Sequence, residues 1–494
     1  MLLIAILYLP SLDLKLFADD FISWNTVLKT INQPWWYLLG INYNPEFYRP
    51  LEHLLIRGDV LLMGINPFDY RIAAILGHVL TALTVFWFAR KAHFDHYVSL
   101  GATLIFGFNQ ANAMAALSND AACQIYSTLF GTVALGLLIR EQPDGPLKFR
   151  RAMFSALWLL GALMWKDAGI SYLPAVAYLV LREGFLRPPD RRWRRVAVLA
   201  APIIAVSVLY FAMRFHAGVT GPGIGKTGRY DLWFGLNVPA NLSLFLLGML
   251  TPIGSSIFVL RVDNVLFLAF WSVTFLATCT GVISGNILCA KDRPSDRPRL
   301  IMLAVLMLLV MLPDIFMNKV SELYIYKPNA MFVILFAAAL DCLFRLAARR
   351  RRYRLMGLLI AFLIGLMVSH LFSINHKQER MRANGLLCDR LMNEIRLQMP
   401  RLASHKILVS NRVPGPAPLY SIYYMEGIHV LGGSKVFELY YGEKIQEYRY
   451  YPFEMLDHGL KEITGEKVVI LYRRDHAYVA TVDGTVNPFR NMPP

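Results

Sequence analysis

Apolar residues run through this chain in long blocks, and the short polar connections between them alternate between strongly basic and nearly charge-free. A helix needs about 20 mainly apolar residues to cross a hydrocarbon core roughly 30 Å thick. Blocks of that kind fall near 67–90, 97–116, 120–140, 150–166, 168–186, 196–214, 263–289, 299–317, 328–346 and 353–372. The apolar start, Met1–Leu12, is short. It reads as a thin first span or as a span lacking its beginning; no basic n-region or small-residue cleavage site marks it as a signal peptide. The block 237–258 holds Pro239, Pro252 and Gly254 and is open to three readings: a span, a re-entrant segment or an interfacial one.

Loop charges choose among these. The connections 90–97, 140–151, 182–195, 290–299 and 345–354 hold 22 Lys+Arg in 54 residues, whereas 13–66, 116–120, 164–168, 214–236, 256–262 and 318–329 hold 11 in 106. Basic residues mark the cytoplasmic side of short loops. The first set is therefore expected inside and the second outside. The alternation stays consistent only if 237–258 does not cross once on its own. The expected architecture is an α-helical polytopic membrane protein, about eleven spans plus one re-entrant or interfacial segment, over residues 1–372. Residues 373–494 form an extracytoplasmic tail. Met381–Met399 is amphipathic, Lys406–Val409 and Lys467–Tyr472 read as short strands, and Pro414, Pro416 and Pro418 mark a loop, so the tail is expected to be a small α/β domain. No internal repeat is visible.

Composition agrees and excludes the alternatives. The 494 residues are 56% hydrophobic and 17% charged, far from a disordered chain, a collagen-like fibre or an ordinary soluble enzyme. The net charge of +16 is mostly topological. The runs Arg191–Arg195 and Arg349–Arg352 lie beside apolar blocks, where headgroups and orientation explain them better than nucleic acid does. Gly221–Thr227 resembles a phosphate loop but fails the required spacing and lies on the outer side, so it reads as an outer loop. No Cys/His cluster has structural zinc spacing, no Gly-x-Ser-x-Gly occurs, and the five cysteines build no disulfide framework within the tail.

The first outer loop, 13–66, carries the chemistry. It opens with Phe17-Ala18-Asp19-Asp20-Phe21, is rich in aromatics (Trp24, Trp35, Trp36, Tyr37, Tyr43, Phe47) and ends in Tyr48-Arg49-Pro50-Leu51. Asn66-Pro67-Phe68-Asp69-Tyr70 and Gly77-His78-Val79-Leu80 open the next span. Trp165-Lys166-Asp167 precedes an apolar block with Pro174, and Ser321-Glu322-Leu323-Tyr324-Ile325-Tyr326-Lys327-Pro328 leads into the block 328–346. In order and sidedness this set resembles the GT-C class of membrane glycosyltransferases. The closest pattern is that of its protein O-mannosyltransferases with tetratricopeptide repeats and their bacterial relatives. The resemblance covers roughly 15–372. The chain departs from the pattern at Asn109-Gln110 and Met114, at Ser118-Asn119-Asp120 and at Leu323, and no repeats follow, so the acceptor of that branch does not carry over.

The resemblance implies an enzyme at the extracytoplasmic face of a membrane, expected to be a bacterial inner membrane with the site facing the periplasm. It implies transfer of a sugar from a polyprenyl-phosphate carrier to a hydroxyl or amine on a protein, lipid or glycan. The expected partners are that donor, the acceptor and membrane lipids, and no nucleic acid. The leaving phosphate needs cations as charge develops on it and no general acid, while the acceptor needs a base, a role suited to a carboxylate. Asp19 or Asp20 is the expected base, and the other can hold the acceptor or a divalent ion, Mg or Mn. Arg49, Lys166 and Lys327, with Arg71 and His78, are candidates for the donor phosphate. Tyr48, Asp120, Asp167, Glu322, Tyr324 and Tyr326 are candidates for substrate contact. Two rival readings remain: a polysaccharide polymerase or ligase acting on lipid-linked glycans, and a non-catalytic scaffold on the same fold.

Overall fold

The computed structural model describes residues 1–40, 47–140, 147–186, 188–219, 231–254, 264–317, 321–411, 427–490 and 492, without the side chains of 267 and 268. Tyr43, Gly221–Thr227, the Pro414–Pro418 loop and the end of the 237–258 block lie outside these residues. The chain divides into two compact units. The first comprises Met1–Pro10, Trp35–Leu54 and Ile72–Asn375; the second comprises Ser11–Pro34, Leu55–Arg71 and His376–Pro494.

The first unit is helical. Among the described residues, six helices are long and apolar enough to cross a membrane: Phe68–Lys91, Pro189–His216, Val265–Asp292, the helical stretch Pro294–Ile315, Glu322–Arg349 and Tyr353–Gln398. The other five expected spans are helices of 7 to 17 residues: Leu2–Tyr8, His96–Phe108, Ala122–Leu137, Phe149–Trp165 and Tyr172–Phe185. Six helices thus meet the length of a span where eleven were expected. Asn237–Leu250, with 14 residues, rises about 21 Å and falls short of the hydrocarbon thickness.

Glu322–Arg349 is the pivot of this unit. It packs against His96–Phe108, Ala122–Leu137, Val265–Asp292 and Arg297–Ile315, and it buries Met331 and Phe332 through Phe336 in one run. A helix apolar on all sides belongs in the interior. Its one buried amide, Asn329, donates from Nδ2 to Asn112 Oδ1 at 3.0 Å, which gives the amide nitrogen a partner. Elsewhere, close helix approach selects glycine: a Cβ on Gly131 would sit 2.3 Å from the Tyr172 ring.

The helix Tyr353–Gln398 joins the expected last span and the amphipathic segment 381–399 into one element. The link 373–380 contains neither Gly nor Pro, so nothing in it stops a helix. Leu358, Ile364 and Phe372 are exposed near its start, whereas Met381, Cys388, Leu391, Met392 and Ile395 are buried further on.

The second unit holds a four-stranded sheet in the order β2-β1-β3-β4, with β1 Lys406–Asn411, β2 Glu447–Pro452, β3 Glu466–Arg473 and β4 His476–Asp483. β1 pairs in parallel with β2 and β3, and β3 pairs antiparallel with β4. β1 and β3 are buried almost throughout, as central strands with both faces covered are. Leu408, Val469 and Leu471 pack with Leu456, Leu460, Ile463 and Phe489. The buried Lys467 donates to the carbonyls of Leu460 and Ile463 at the end of the short helix Leu456–Glu462. The β3–β4 turn is Arg474-Asp475, both with positive φ. Such a turn normally uses Asn-Gly or Asp-Gly, which is why β4 gave no sequence signal.

Candidate active site

Within the first unit a cavity of about 210 Å³ is lined by Phe47, Arg49, Lys166, Asp167, Ser171, Arg214, Asp314 and Tyr324, among others. Its charged groups come from segments far apart in sequence. Arg49 precedes Pro50, the first residue of the helix Pro50–Met63, where proline needs no amide partner. Lys166 ends the helix Phe149–Trp165 in an extended conformation (φ −156°, ψ 136°) before the 3₁₀ turn Asp167–Ser171. That turn requires glycine at 169, since a Cβ there would lie 2.5 Å from the Ala162 carbonyl oxygen. Arg214 belongs to the last turn of Pro189–His216.

Asp167 ties three of these segments together. Its Oδ2 accepts from the Tyr48 backbone N–H at 2.8 Å, its Oδ1 accepts from the Tyr210 hydroxyl at 3.1 Å, and it pairs with Arg214. Tyr48 donates its own hydroxyl to the Leu39 carbonyl at 2.7 Å, and burial raises its pKa to about 12. Both carboxylate oxygens of Asp167 are engaged, which suits a positioning group. Lys327 is saturated in the same way. An ammonium has three hydrogens, and Nζ lies 2.8 Å from Ala168 O, 3.0 Å from Ser171 Oγ and 2.9 Å from Asp314 Oδ2. It braces the 3₁₀ turn that carries Lys166 and Asp167.

Lys166 differs. It is 3% exposed, lines the cavity, and among the described residues no hydrogen bond or ion pair reaches its ammonium. Burial holds its pKa below the usual lysine range; Arg49 pushes the same way, and Cys123, Glu52 and Asp120 push back. Arg49 Nη1 lies 3.5 Å from Glu52 Oε2, and Glu52 is fully buried. With Asp167 matched to Arg214, Asp314 to Lys327 and Glu52 to Arg49, the cationic surplus of the cavity rests on Lys166.

Of the remaining candidates all but Tyr324 fall elsewhere. In the first unit, His78 Nδ1 faces the Tyr326 hydroxyl at 2.7 Å and Nε2 faces the Gly107 carbonyl at 3.3 Å, so ring and phenol serve each other between helices. Asp120 accepts from Ser118 Oγ at 2.6 Å and stands within electrostatic reach of Glu52 and Lys166. Glu322 is buried behind Ser321, whose Oγ accepts from the Leu323 N–H at 3.3 Å, and a Cβ on Gly254 would meet its Oε1. Tyr324 lines the cavity.

In the second unit, Arg71 is buried and donates to Ser11 O at 3.2 Å and Ser11 Oγ at 2.7 Å. Asp19 and Asp20 belong to this unit too, at the start of the helix Asp20–Lys29. Asp20 is 1% exposed and its Oδ2 accepts from the Phe17 N–H at 3.0 Å. Between them Ala18 takes a positive φ of 54°, and its N–H donates to Val430 O at 2.8 Å.

Sequence reasoning missed Arg214, Asp314, Tyr210 and Glu52. Arg214 and Asp314 had a usable signal, since each is an ionisable residue inside an apolar block, and such residues are functional candidates by default. Glu52 and Tyr210 had none.

No family model matches this chain, and no curated protein sequence matches it. Its structure is similar to that of ArnT from Cupriavidus metallidurans bound to undecaprenyl phosphate. The TM-score is 0.53 at 16% sequence identity, over 99% of this chain and 98% of that one. ArnT from the same organism in the apo state gives 0.54 at 14% identity, over 94% and 90%. At such identities the likeness concerns the fold: the chain has the GT-C-type membrane fold that the motif order implied, together with the small C-terminal sheet expected from the tail's own pattern.

Proposed function

We propose that this protein is an integral membrane glycosyltransferase that moves a sugar from a polyprenyl-phosphate carrier to a hydroxyl or amine. We place the reaction at the extracytoplasmic face of a bacterial inner membrane. The observation that carries this reading is Lys166, a buried ammonium facing a cavity beside Arg49 with no partner among the described residues. A desolvated ammonium that makes no hydrogen bond or close ion pair is costly, and an anionic ligand lowers that cost. The fold-related ArnT is bound to undecaprenyl phosphate, a lipid anion of the required class.

In the reaction, the acceptor oxygen or nitrogen attacks the anomeric carbon as the bond from that carbon to the phosphate oxygen breaks. The acceptor proton passes to a carboxylate, and the phosphodiester monoanion leaves as a phosphate with one more negative charge. Lys166 and Arg49 stabilise that charge as it forms. The base is assigned to the pair Asp19-Asp20 from the motif pattern. Asp20 holds the Phe17 turn, which makes Asp19 the member to test for chemistry. Among the described residues no three His, Cys, Asp or Glu side chains gather as a metal site, so no step is routed through a divalent ion. The tail 373–494 is proposed to help bind the acceptor or a partner.

The test is product mass. The full chain in lipid nanodiscs is given polyprenyl-phosphate sugars and membrane extract, and sugar transfer is read by mass spectrometry. We expect transfer with the wild type and with D20N where it folds, and loss of at least about 100-fold in D19N, the size of a general-base contribution. Full transfer by a D19N/D20N double variant at normal protein level would overturn the assignment of the base. Donor binding without any transfer would favour the scaffold, and transfer of a whole glycan would favour the polymerase or ligase.

A further inference from the structure

Glu52 is the charged group near the cavity that the proposed chemistry leaves unused. It is fully buried, and it sits in the first turn of Pro50–Met63 with Oε2 3.5 Å from Arg49 Nη1. Charged or titratable neighbours reach it from three segments. Arg49 and His53 come from its own segment, Asp120 and the thiol of Cys123 from the start of Ala122–Leu137, and Lys166 from the turn after Phe149–Trp165. Burial lowers the pKa of His53 to about 3, so the imidazole is neutral near pH 7. The carboxylate therefore faces the two cations assigned to the donor phosphate, in a place where water does not screen it.

A phosphodiester entering this site brings a second anion to the same pair of cations. Two like charges sharing a desolvated site cannot both stay ionised without loss, and the weaker acid takes a proton. A phosphodiester holds its charge across the physiological range, so the carboxylate is the member that can take a proton. Resting on the donor-phosphate reading of the cavity, we propose that Glu52 is the stand-in anion of the empty site: it holds Arg49 in place until the donor arrives, then takes one proton from water as the phosphodiester binds. Glu52 is thus a positioning residue that keeps Arg49 ordered without competing with the bound donor. Burial already moves its pKa upward, so the added anion has a shorter way to push it. By linkage, donor affinity weakens as pH rises above the pKa of the empty site, by up to about tenfold per pH unit for one proton.

Calorimetric titration of the full chain in nanodiscs decides this. A polyprenyl-phosphate sugar is titrated at pH 8 in two buffers of different ionisation enthalpy, and proton uptake is read from the difference in heat. We expect the wild type to take up a substantial fraction of one proton, and E52Q to take up none, with an affinity that stays flat from pH 6 to 9. No uptake by the wild type, or equal uptake by E52Q, would overturn the proposal. Should E52Q not fold, the wild-type proton count still decides. The site reading fails separately: if K166M binds the donor as tightly as the wild type, the phosphate lies elsewhere, whatever the proton count.

Discussion

The first unit carries two clusters of charge at opposite ends of the same helices, and they are built on different principles. One is the cavity around Lys166. The other surrounds a polar cavity of about 290 Å³ lined by Arg90, His93, Asp95, Arg293, Asp296, Arg299 and Asp341. Lys327 and Arg345 lie on Glu322–Arg349, one near each cluster. Eighteen residues of helix separate them, about 27 Å, close to a hydrocarbon thickness. In the second cluster each guanidinium has a partner, Arg293 through an ion pair with Asp95 at 3.9 Å. Arg299 donates to Asp296 at 2.7 Å and to the His93 carbonyl at 3.0 Å, and Arg90 donates to the Phe94 carbonyl at 2.6 Å. Arg345 pairs with Asp341 at 2.7 Å and also with Asp95. In the first cluster Asp167 and Asp314 answer Arg214 and Lys327, and Lys166 remains. Density of charge therefore does not distinguish a ligand site from a structural clamp; the balance of partners does.

The largest effect that could break this contrast is at Lys166. K166M should lower kcat/KM for transfer by at least about 100-fold, roughly 3 kcal/mol of transition-state stabilisation. Because the ammonium is buried and unmatched, its removal should leave Tm unchanged or raise it. Activity lost together with stability would instead make Lys166 a structural group. D167N comes next. It keeps one acceptor oxygen but weakens the hold on Arg214 and the Tyr48 backbone, so about 1–3 kcal/mol of stability should go, along with about tenfold in kcat/KM.

At the opposite end, R345A should cost less than about 1 kcal/mol, since that pair is partly exposed, and transfer should be unchanged. A large loss of transfer in R345A would end the contrast. The smallest effect concerns Glu438 in the second unit, a buried carboxylate fully answered within the fold by Lys29, Lys435 and Asn25. Burial raises its pKa, but these three partners outweigh burial and hold it below the usual range. A depressed carboxyl stabilises the fold above the unfolded pKa, near 4.3, and that stability fades as pH falls through the folded value. Thermal melts from pH 6 to 3 should therefore show a steeper loss in the wild type than in E438Q.

Much of this could be read from the chain. The spans 67–90 and 328–346, the β1 and β3 strands and the nearness of Lys166 to Asp167 follow from local pattern, since apolar period and adjacency are carried by neighbouring residues. β2 and β4 were missed because an edge strand of tyrosines and an Arg-Asp turn break the usual signals. The joining of 353–372 and 381–399 was missed because a polar stretch on a helix looks like a loop when its packing is unknown. Of the about eleven expected spans, six are long helices and five are shorter ones, since apolar blocks do not reveal where turns such as Asp167–Ser171 cut a helix.

By itself, the sequence determined that this is a basic-looped, polytopic helical protein with a polar tail, and it named Arg49, Lys166 and Lys327 as cations of interest. Those facts reside in composition, spacing and motif order, which need no partners. Only the tertiary structure decided which of these cations is answered. Lys327 is used up by Ala168, Ser171 and Asp314, Arg71 by Ser11, and His78 by Tyr326. Lys166 is left facing the cavity with Arg49, beside the buried Glu52. Whether a charge is matched depends on residues far along the chain, 60 positions away for Arg71 and Ser11 and 159 for Lys327 and Ala168, brought to about 3 Å by packing, and no local pattern encodes that distance.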